Sequence, residues 1–232
     1  MKIKKIWKYG VGTLGVICLY LVVAGTWASF SVAELLPNSF TNNDQPLLTE
    51  EQSNILLKIE DPTFYTHPGI DLSLGQGLTT ITSSLALNVF LSGRKLAGVK
   101  GGFQSFYSAV FACCKKVDFG RDVMALVLNK HLSKENQLRL FISTVYMGQY
   151  NRKSVIGIPS AAHVYFNKDI SELSKEEFIM LVAMLDAPNY YNPIGGIQQL
   201  NSRILKIKSI LSGACKPKGW FDTEYEQCNG NA

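Results

Sequence analysis

Hydrophobic positions in this chain begin with one long unbroken run and then continue at helical spacing. Residues 9–30 contain no charged side chain, and a run of this length can cross the hydrocarbon core of a bilayer. Four lysines precede the run, and Trp7 and Trp27 lie near its ends, as interfacial anchors do. The pattern predicts an uncleaved transmembrane anchor with its N-terminus in the cytoplasm. A cleaved signal peptide is the alternative, although it would have a shorter apolar core and a small-x-small exit.

Shorter apolar stripes after the anchor predict amphipathic helices. Thr49 and Gln52 have the spacing of a capping box, and the helix that follows them should end near Glu60. A later helix should begin after Ser133, which can cap it, and should end at Gly148. These boundaries place several polar side chains at helix ends, where loops begin.

The segment 178–188 is almost entirely apolar and predicts a central, buried helix. Ser174 and Glu177 precede it with the spacing of another capping box. Alternating apolar and polar positions, which are typical of strands, are scarce and short. The predicted fold is therefore mainly α.

Changes in composition divide the chain into four predicted parts. They are a cytoplasmic stub with the transmembrane anchor (1–30), a polar, proline-bounded linker (31–46), a folded domain (47–212) and a polar tail (213–232). Cys215 and Cys228 flank the tail and could form a disulfide in an oxidising compartment. The sequence alone leaves their pairing open.

The formal net charge is +5, and four of the positive charges belong to the lysines before the anchor. The part predicted to be exported is therefore nearly neutral, which argues against nucleic-acid binding. The three histidines, His67, His131 and His163, are far apart in sequence, and no Cys or His spacing indicates a zinc site. We predict no protein-bound metal centre from these residues.

The stretch EDPTFYTHPGID, from Glu60 to Asp71, combines an acid pair, two aromatic residues and a histidine at the end of a predicted helix. A carboxylate in such a place can stay partly solvated while facing a cleft, which suits a general base. Acid pairs at helix ends are also common on protein surfaces. Spacing alone therefore favours an ordinary solvated Glu60.

Taken together, these residues resemble the first motif of the family 51 glycosyltransferases, the peptidoglycan transglycosylase domain of penicillin-binding proteins. That motif reads E-D-x-x-F-x-x-H-x-G, and the matching residues are Glu60, Asp61, Phe64, His67 and Gly69. Residues 76–91, QGLTTITSSLALNVFL, are similar to the family's second motif, Q-G-G-S-T-I-T-Q-Q-L-A-K-N-L-F-L. Later segments resemble the family as far as Leu211, so the similarity covers nearly all of the predicted domain.

This resemblance implies a lysozyme-like helical domain, preceded by one transmembrane helix, at the outer face of the bacterial cytoplasmic membrane. It implies a single-pass protein that polymerises lipid II, with the undecaprenyl-pyrophosphoryl glycan as the growing chain. Glu60 matches the base that deprotonates the acceptor sugar. Asp61, Phe64, His67 and Gly69 would shape the loop around it, with His67 in a structural role. Cell-envelope assembly proteins are further expected partners.

The leaving pyrophosphate needs positive charge, which basic side chains or a divalent cation such as Mg or Mn could supply. The resemblance places hydroxyl and basic residues at the donor and pyrophosphate site, and these are Thr79, Thr80, Thr82, Ser83, Arg94, Lys95 and Lys116. Arg121 is a further candidate for this site, although it does not match a family residue. A buried threonine or a surface cation is the ordinary alternative for each of them.

The third family motif supplies a second glutamate about twelve residues before the S-K pair, and this chain departs from it. Counting back from Ser133 reaches Arg121, and no glutamate occurs between Asp61 and Lys134. Asp118 and Asp122 are the possible replacements, with Asp118 one helical turn before the expected position.

These matches and departures leave three functional hypotheses. Arg121 could bind the pyrophosphate through its guanidinium while Glu60 remains the base. The domain could instead have lost turnover and serve as a lipid-linked glycan binder or an envelope scaffold. A peptidoglycan-cleaving enzyme is the third class, since lysozyme-like folds also host hydrolases. A transpeptidase is not expected. Ser92 to Lys95 fit the S-x-x-K motif of that class, but its K-T-G motif does not follow.

Overall fold

The computed structural model describes residues 2–36, 48–71, 79–111, 118–218, 222, 225 and 228, with side chains from residue 10 onward except 110 and 111. The described chain is mostly helical, as the sequence predicts. In order, its elements are α1 (Lys2–Leu35), α2 (Glu50–Glu60), α3 (Ile81–Ala86) continued by a π-helical segment (Leu87–Ser92), α4 (Gly98–Phe111), α5 (Phe119–His131), α6 (Lys134–Thr144), β1 (Tyr146–Tyr150), β2 (Lys153–Ile156), α7 (Ile158–Phe166), a 3-10 turn (Ile170–Glu172), α8 (Lys175–Met184) and α9 (Ile197–Ser212).

These elements form two compact units. The first contains the described parts of 2–36, 68–70 and 82–133, and the second contains the described parts of 48–67, 71–81 and the chain from 134 onward. The sequence predicted one domain over 47–212, and it did not predict that α1 and α5 would belong to the same unit. Each unit is considered separately below.

The first unit is built around the second half of α1, which packs against α5 and the π-helical segment. Residues 10–35 are long and apolar enough to cross a membrane by length and composition. The predicted linker began at residue 31, but α1 continues to Leu35. This boundary was wrong because Ser31, Val32 and Leu35 are buried within the unit, which extends the helix beyond the apolar run.

Trp27 shows the same packing in detail. Its indole Nε1–H donates a hydrogen bond to the carbonyl oxygen of Lys100 at 3.0 Å. Its ring lies 5.0 Å from that of Phe103 and 5.9 Å from that of Phe90, between ring centroids. The side chain is therefore part of the protein interior rather than an interfacial anchor, because its polar N–H finds a backbone partner in α4.

The second unit places α2 against α8 and α9. Both predicted capping boxes are present, with Thr49 and Gln52 before α2 and Ser174 and Glu177 before α8. The predicted central helix is also confirmed, since α8 buries Phe178, Ile179, Leu181, Val182, Ala183 and Met184. The packing of α2 against α8 and α9 sets the direction of α2 and therefore the position of its last residue, Glu60.

The helix after Ser133 begins as predicted but ends at Thr144, four residues before Gly148. Gly148 lies in β1, which pairs antiparallel with β2 and has an irregularity between Tyr146 and Gln149. Its φ is +95°, and a Cβ atom there would lie 2.8 Å from the carbonyl oxygen of Pro188. The glycine therefore serves a strand irregularity and a close backbone approach, not a helix end.

The sequence left open whether the two cysteines that flank the tail pair, and the structure shows that they do. Cys215 and Cys228 form a disulfide, and their Cα atoms are 6.1 Å apart. Cys215 lies three residues after the last residue of α9, so the bond fixes the described Cys228 near the end of that helix.

Gln52 provides a test of how α2 is held. Its Nε2 donates to the buried carbonyl of Ile170 at 2.8 Å, and its Oε1 accepts from the Thr49 N–H at 3.0 Å. We expect Gln52→Ala to lower the free energy of unfolding by about 1–3 kcal/mol, because both backbone groups lose their partner. Urea unfolding of the detergent-solubilised chain measures this. Asn54→Ala, an exposed change on the same helix, should have almost no effect; equal losses in the two variants would contradict the assignment.

Candidate active site

Glu60 is the last residue of α2 and is partly exposed. Burial raises its pKa from an ordinary 4.5 to about 7, Arg203 opposes this rise, and Asp186 and Asp61 add to it. At neutral pH the side chain therefore exists in both protonation states. Such a carboxyl group can accept a proton and release it again near physiological pH.

Arg203 and Asp186 are charged neighbours of Glu60 that sequence reasoning missed. Arg203 lies on α9, and its Nη2 is 3.9 Å from Oδ2 of Asp186, which follows α8. The guanidinium carbon is 6.0 Å from the centre of the Tyr191 ring. No local signal could have identified either residue, because both are far from Glu60 in sequence and only the packing of α2 on α8 and α9 brings them near.

Asp61, the neighbour of Glu60 in sequence, has a different environment. It is almost completely buried, and its Oδ2 accepts a hydrogen bond from the Ile81 N–H at 3.0 Å. Nε2 of His67 lies 3.1 Å from Oδ1 and 3.0 Å from Oδ2 of the same carboxylate. The two residues thus tie the loop after α2 to the start of α3.

Phe64 and Lys134 complete this loop within the second unit. Phe64 is buried, and its ring meets that of His67 edge-on at 6.2 Å. Nζ of Lys134 lies over the Phe64 ring, 4.6 Å from its centre. Burial lowers the pKa of Lys134 to about 8, while the nearby Asp61 opposes that change. Lys134 belongs to the S-K pair noted in the sequence, but no role was predicted for it.

The hydroxyl residues predicted for the donor site differ in exposure. Thr79 is exposed, whereas Thr80 in the second unit and Thr82 and Ser83 in the first are buried. Gly69 has a φ of +126°, and a Cβ atom there would lie 2.8 Å from the carbonyl oxygen of Ala125. The positive φ and the close approach of the Ala125 backbone therefore require a glycine at this position of the first motif.

The predicted basic residues of the first unit lie on its surface or in its interior. Arg94 is exposed and its Nη1 donates to the Glu34 carbonyl at 3.0 Å. Lys95 is also exposed, with its Nζ 3.3 Å from the Leu91 carbonyl oxygen. Lys116 lies outside the described residues.

Arg121 is buried, and its Nη2 is 3.4 Å from Oδ1 of Asp122. Its Nε has no hydrogen-bond partner among the described residues. Burial raises the pKa of Asp122, and the Arg121 guanidinium opposes that rise. The two side chains compensate each other inside the unit, whereas the pyrophosphate hypothesis needs Arg121 to face a cleft.

Asp118 is the N-cap of α5 rather than a residue one turn earlier on the helix. Its Oδ1 accepts hydrogen bonds from the N–H groups of Gly120 and Arg121, both at 3.1 Å, and from the Tyr107 hydroxyl at 2.5 Å. Tyr107 also exchanges a hydrogen bond with the Tyr20 hydroxyl of α1 at 2.8 Å. Burial and the Asp118 carboxylate raise the pKa of Tyr107, so its hydroxyl keeps its proton.

A divalent cation was a possible helper for the leaving group. Across the described residues, no group of three or more His, Cys, Asp or Glu side chains is arranged to hold a metal ion.

Comparison with known proteins shows which family this sequence resembles. Residues 39–211 match the model of a protein family described as Transglycosylase. Penicillin-binding protein 1A of Neisseria lactamica is 31% identical over 179 residues, which are 71% of this chain and 19% of that protein. Penicillin-binding protein 1B of Vibrio cholerae is 29% identical over 185 residues, covering 72% of this chain and 21% of that protein. The chain thus spans about a fifth of the length of these relatives.

The raised pKa of Glu60 predicts a pH-dependent stability. The Glu60 carboxyl group binds its proton more tightly in the folded protein than in the unfolded chain. The contribution of Glu60 to the free energy of unfolding therefore falls as pH rises from 4.5 to about 7. Above that range we expect Glu60→Gln to be more stable than wild type by roughly 1–3 kcal/mol, and near pH 4.5 this difference should disappear. Thermal unfolding of both proteins from pH 4.5 to 8.5 measures it. A difference that stays constant with pH would contradict the burial of this carboxyl group.

Asp118 can be tested as a cap and as a second carboxylate in one experiment. Asp118→Ala should lower the free energy of unfolding by about 1–3 kcal/mol, because α5 loses its cap and Tyr107 its acceptor. Asp118→Asn keeps an acceptor oxygen and should retain most of the stability. If the asparagine variant folds normally but loses activity, the charge of Asp118 is needed for activity in addition to its role as a cap.

Proposed function

The chain belongs to the transglycosylase family, and from this premise we propose that it polymerises lipid II into the glycan strands of peptidoglycan. The observation that carries the proposal is Glu60: it matches the family's base, lies at the end of α2, is partly exposed, and has a pKa raised to about 7. The lysozyme-like helical domain of the family gives the fold in which this carboxylate acts.

The reaction moves one proton and exchanges one bond. The Glu60 carboxylate removes the proton from the 4-hydroxyl of the acceptor sugar as its oxygen attacks the anomeric carbon of the growing chain. The bond from that carbon to the lipid pyrophosphate breaks with inversion, and the pyrophosphate leaves with the electron pair. A sugar hydroxyl is a poor nucleophile until a base accepts its proton, so the step needs this carboxylate. Glu60 is partly exposed and can then return its proton to water.

The first-motif loop supports the base without taking part in the chemistry. Asp61 is engaged by His67 and by the Ile81 N–H, so it remains an acceptor within the loop. We assign His67 and Phe64 to holding this loop in place. Among the predicted basic residues of the first unit, Arg94 and Lys95 are exposed and accessible to a phosphate group, whereas Arg121 is buried.

The membrane supplies the substrate in this proposal. One N-terminal apolar helix fits single-pass anchoring, and lipid-linked substrates lie in the same bilayer. We propose that the N-terminus is cytoplasmic and that the rest of the chain acts on the periplasmic or extracellular side. Envelope assembly proteins remain expected partners.

A second candidate function rests on the first unit. Asp118 caps α5 and Asp122 pairs with Arg121, so both possible replacements for the second family glutamate are already engaged. This arrangement favours a protein that binds lipid-linked glycan without turning it over, either as a binder or as an envelope scaffold.

The test is polymerisation of purified lipid II by the full-length protein in detergent or vesicles. We expect Glu60→Gln to reduce polymer yield at least about a hundredfold, since general-base catalysis contributes about 10²–10⁴-fold. Glu50→Gln removes an exposed carboxylate from the other end of α2 and should leave the yield unchanged. Circular dichroism of both variants checks that they fold.

The outcomes separate the candidate functions. Unchanged polymer yield in Glu60→Gln would remove Glu60 from the mechanism. If wild type binds lipid II but forms no polymer, the binder or scaffold is correct. Release of soluble muropeptides from intact sacculi would instead indicate cleavage.

A further inference from the structure

The last turns of α1 are surrounded by positive charge within the first unit. Nη1 of Arg94 donates to the Glu34 carbonyl at 3.0 Å, and Nζ of Lys100 donates to the Phe30 carbonyl at 2.8 Å. Lys100 also forms an ion pair with the Glu34 carboxylate. Because both cations contact the same part of α1 and Lys95 follows Arg94 directly, three basic residues lie at one helix end.

We propose that this basic cluster, Arg94, Lys95 and Lys100, binds the phosphate groups of anionic membrane lipids where α1 leaves the bilayer. The partner is the headgroup layer of the membrane that α1 enters. The inference needs α1 in a bilayer, and it does not depend on the glycosyltransferase reaction.

The exposed side of α1 shows where the hydrocarbon layer would end. Val22, Val23 and Phe30 are exposed apolar residues, and Glu34 is the first charged residue after Lys8. An α-helix rises about 1.5 Å per residue, so about 20 residues cross a hydrocarbon core of about 30 Å. A helix that enters the core after Lys8 therefore leaves it near Phe30. Glu34 and its basic partners then lie about one helical turn further, at the level of the headgroups.

Another side of α1 packs against α5, and α5 is compatible with this depth. Arg121 and Asp122 pair with each other inside the unit, and Asp118 accepts a hydrogen bond from the Tyr107 hydroxyl. Charged side chains at membrane depth are tolerated when they face the protein interior and pair there. Phe119, at the start of α5, presents an exposed apolar side chain. The contact with α5 therefore does not require α1 to leave the bilayer earlier.

Exposed apolar side chains lie beside the cluster. Val99 precedes Lys100 in sequence and is 93% exposed, and Phe30 supplies the carbonyl that Lys100 contacts. Apolar side chains next to cations are typical of protein surfaces that bind anionic lipid, because the former enter the acyl boundary and the latter meet the phosphates. A surface of this composition at the end of an apolar helix favours lipid over a soluble partner.

The backbone that carries the cluster is held from inside the unit. Gln104 is completely buried, and its Nε2 donates to the carbonyl oxygens of Phe90 at 2.8 Å and Arg94 at 3.0 Å. Its Oε1 accepts from the Leu96 N–H at 3.0 Å. The segment with Arg94 and Lys95 is thus ordered before any lipid arrives, which lowers the entropic cost of binding.

Glu34 sets the sign of a direct test. It is the carboxylate that pairs with Lys100, and the described carboxylates of α5 are engaged elsewhere. Removing a cation should weaken lipid binding because attraction to phosphate is lost. Removing the Glu34 charge should strengthen binding, because it releases Lys100 and removes a repulsion.

The experiment measures lipid binding by the full-length, detergent-solubilised protein. Native mass spectrometry follows titrations with phosphatidylglycerol and, separately, with phosphatidylcholine of the same acyl chains. We expect wild type to bind phosphatidylglycerol more tightly. Lys100→Gln and the double variant Arg94→Gln, Lys95→Gln should weaken this binding by about fivefold for each cation removed. Glu34→Gln should strengthen it.

Lys130→Gln is the matched control, since it removes an exposed cation from α5 in the same unit. It should keep the wild-type affinity for both lipids, and circular dichroism checks that every variant folds. The four lysines before the apolar run stay unchanged in all proteins. Equal affinity of wild type for the two lipids would overturn the proposal. An equal loss in Lys130→Gln and Lys100→Gln, or weaker binding by Glu34→Gln, would also overturn it.

A titration with undecaprenyl pyrophosphate separates lipid headgroups from a substrate phosphate. If the cluster variants keep their affinity for phosphatidylglycerol but lose it for undecaprenyl pyrophosphate, the cluster belongs to the substrate site and the proposal is wrong. Loss of phosphatidylglycerol binding with lipid II polymerisation retained would support the proposal and leave the role of Glu60 untouched. Failure of polymerisation in wild type would refute the proposed reaction without affecting the lipid titrations.

Discussion

The proposed chemistry depends on keeping one carboxyl group partly out of water at the end of a helix. Glu60 ends α2, and α2 is fixed by its capping box and by its packing on α8 and α9. An ordinary glutamate is almost fully ionised at pH 7 and is a weak base. Burial raises the pKa of Glu60 to about 7 and so increases the basicity of its carboxylate, while leaving a large fraction ionised. The acid–base chemistry that we propose for this domain thus rests on the end of a single helix.

Two adjacent carboxyl groups receive different tasks from their surroundings. Asp61 is almost fully buried, yet His67 and the Ile81 N–H satisfy its oxygens, and the result is a fixed loop. Glu60 is more exposed but faces a dominant burial penalty with only longer-range charges to offset it. The environment, rather than the residue type, thus gives Asp61 a structural role and leaves Glu60 as the candidate for acid–base chemistry.

Local rules predicted what local interactions determine, and they failed where distant contacts decide. Both capping boxes and the buried α8 could be predicted because their signals lie within a few residues. Gly148 was misread as a helix end because its positive φ serves a strand irregularity against Pro188, which is distant in sequence. Trp27 was taken for a membrane anchor because the sequence cannot show that Lys100 supplies its hydrogen-bond acceptor. The motif singled out Glu60 as a candidate, whereas no local signal pointed to Arg203 or Asp186, which are distant from it in sequence.

The first unit shows how a departure from the family pattern can be absorbed. An arginine at the position expected for a glutamate reverses a charge, and reversing a buried charge is costly unless a partner appears beside it. Asp122 is that partner, so Arg121 and Asp122 together leave the interior close to neutral. Asp118, bound to Tyr107 and to the start of α5, adds no unengaged carboxylate. If the chain turns over its substrate, acid–base control therefore falls more heavily on the second unit.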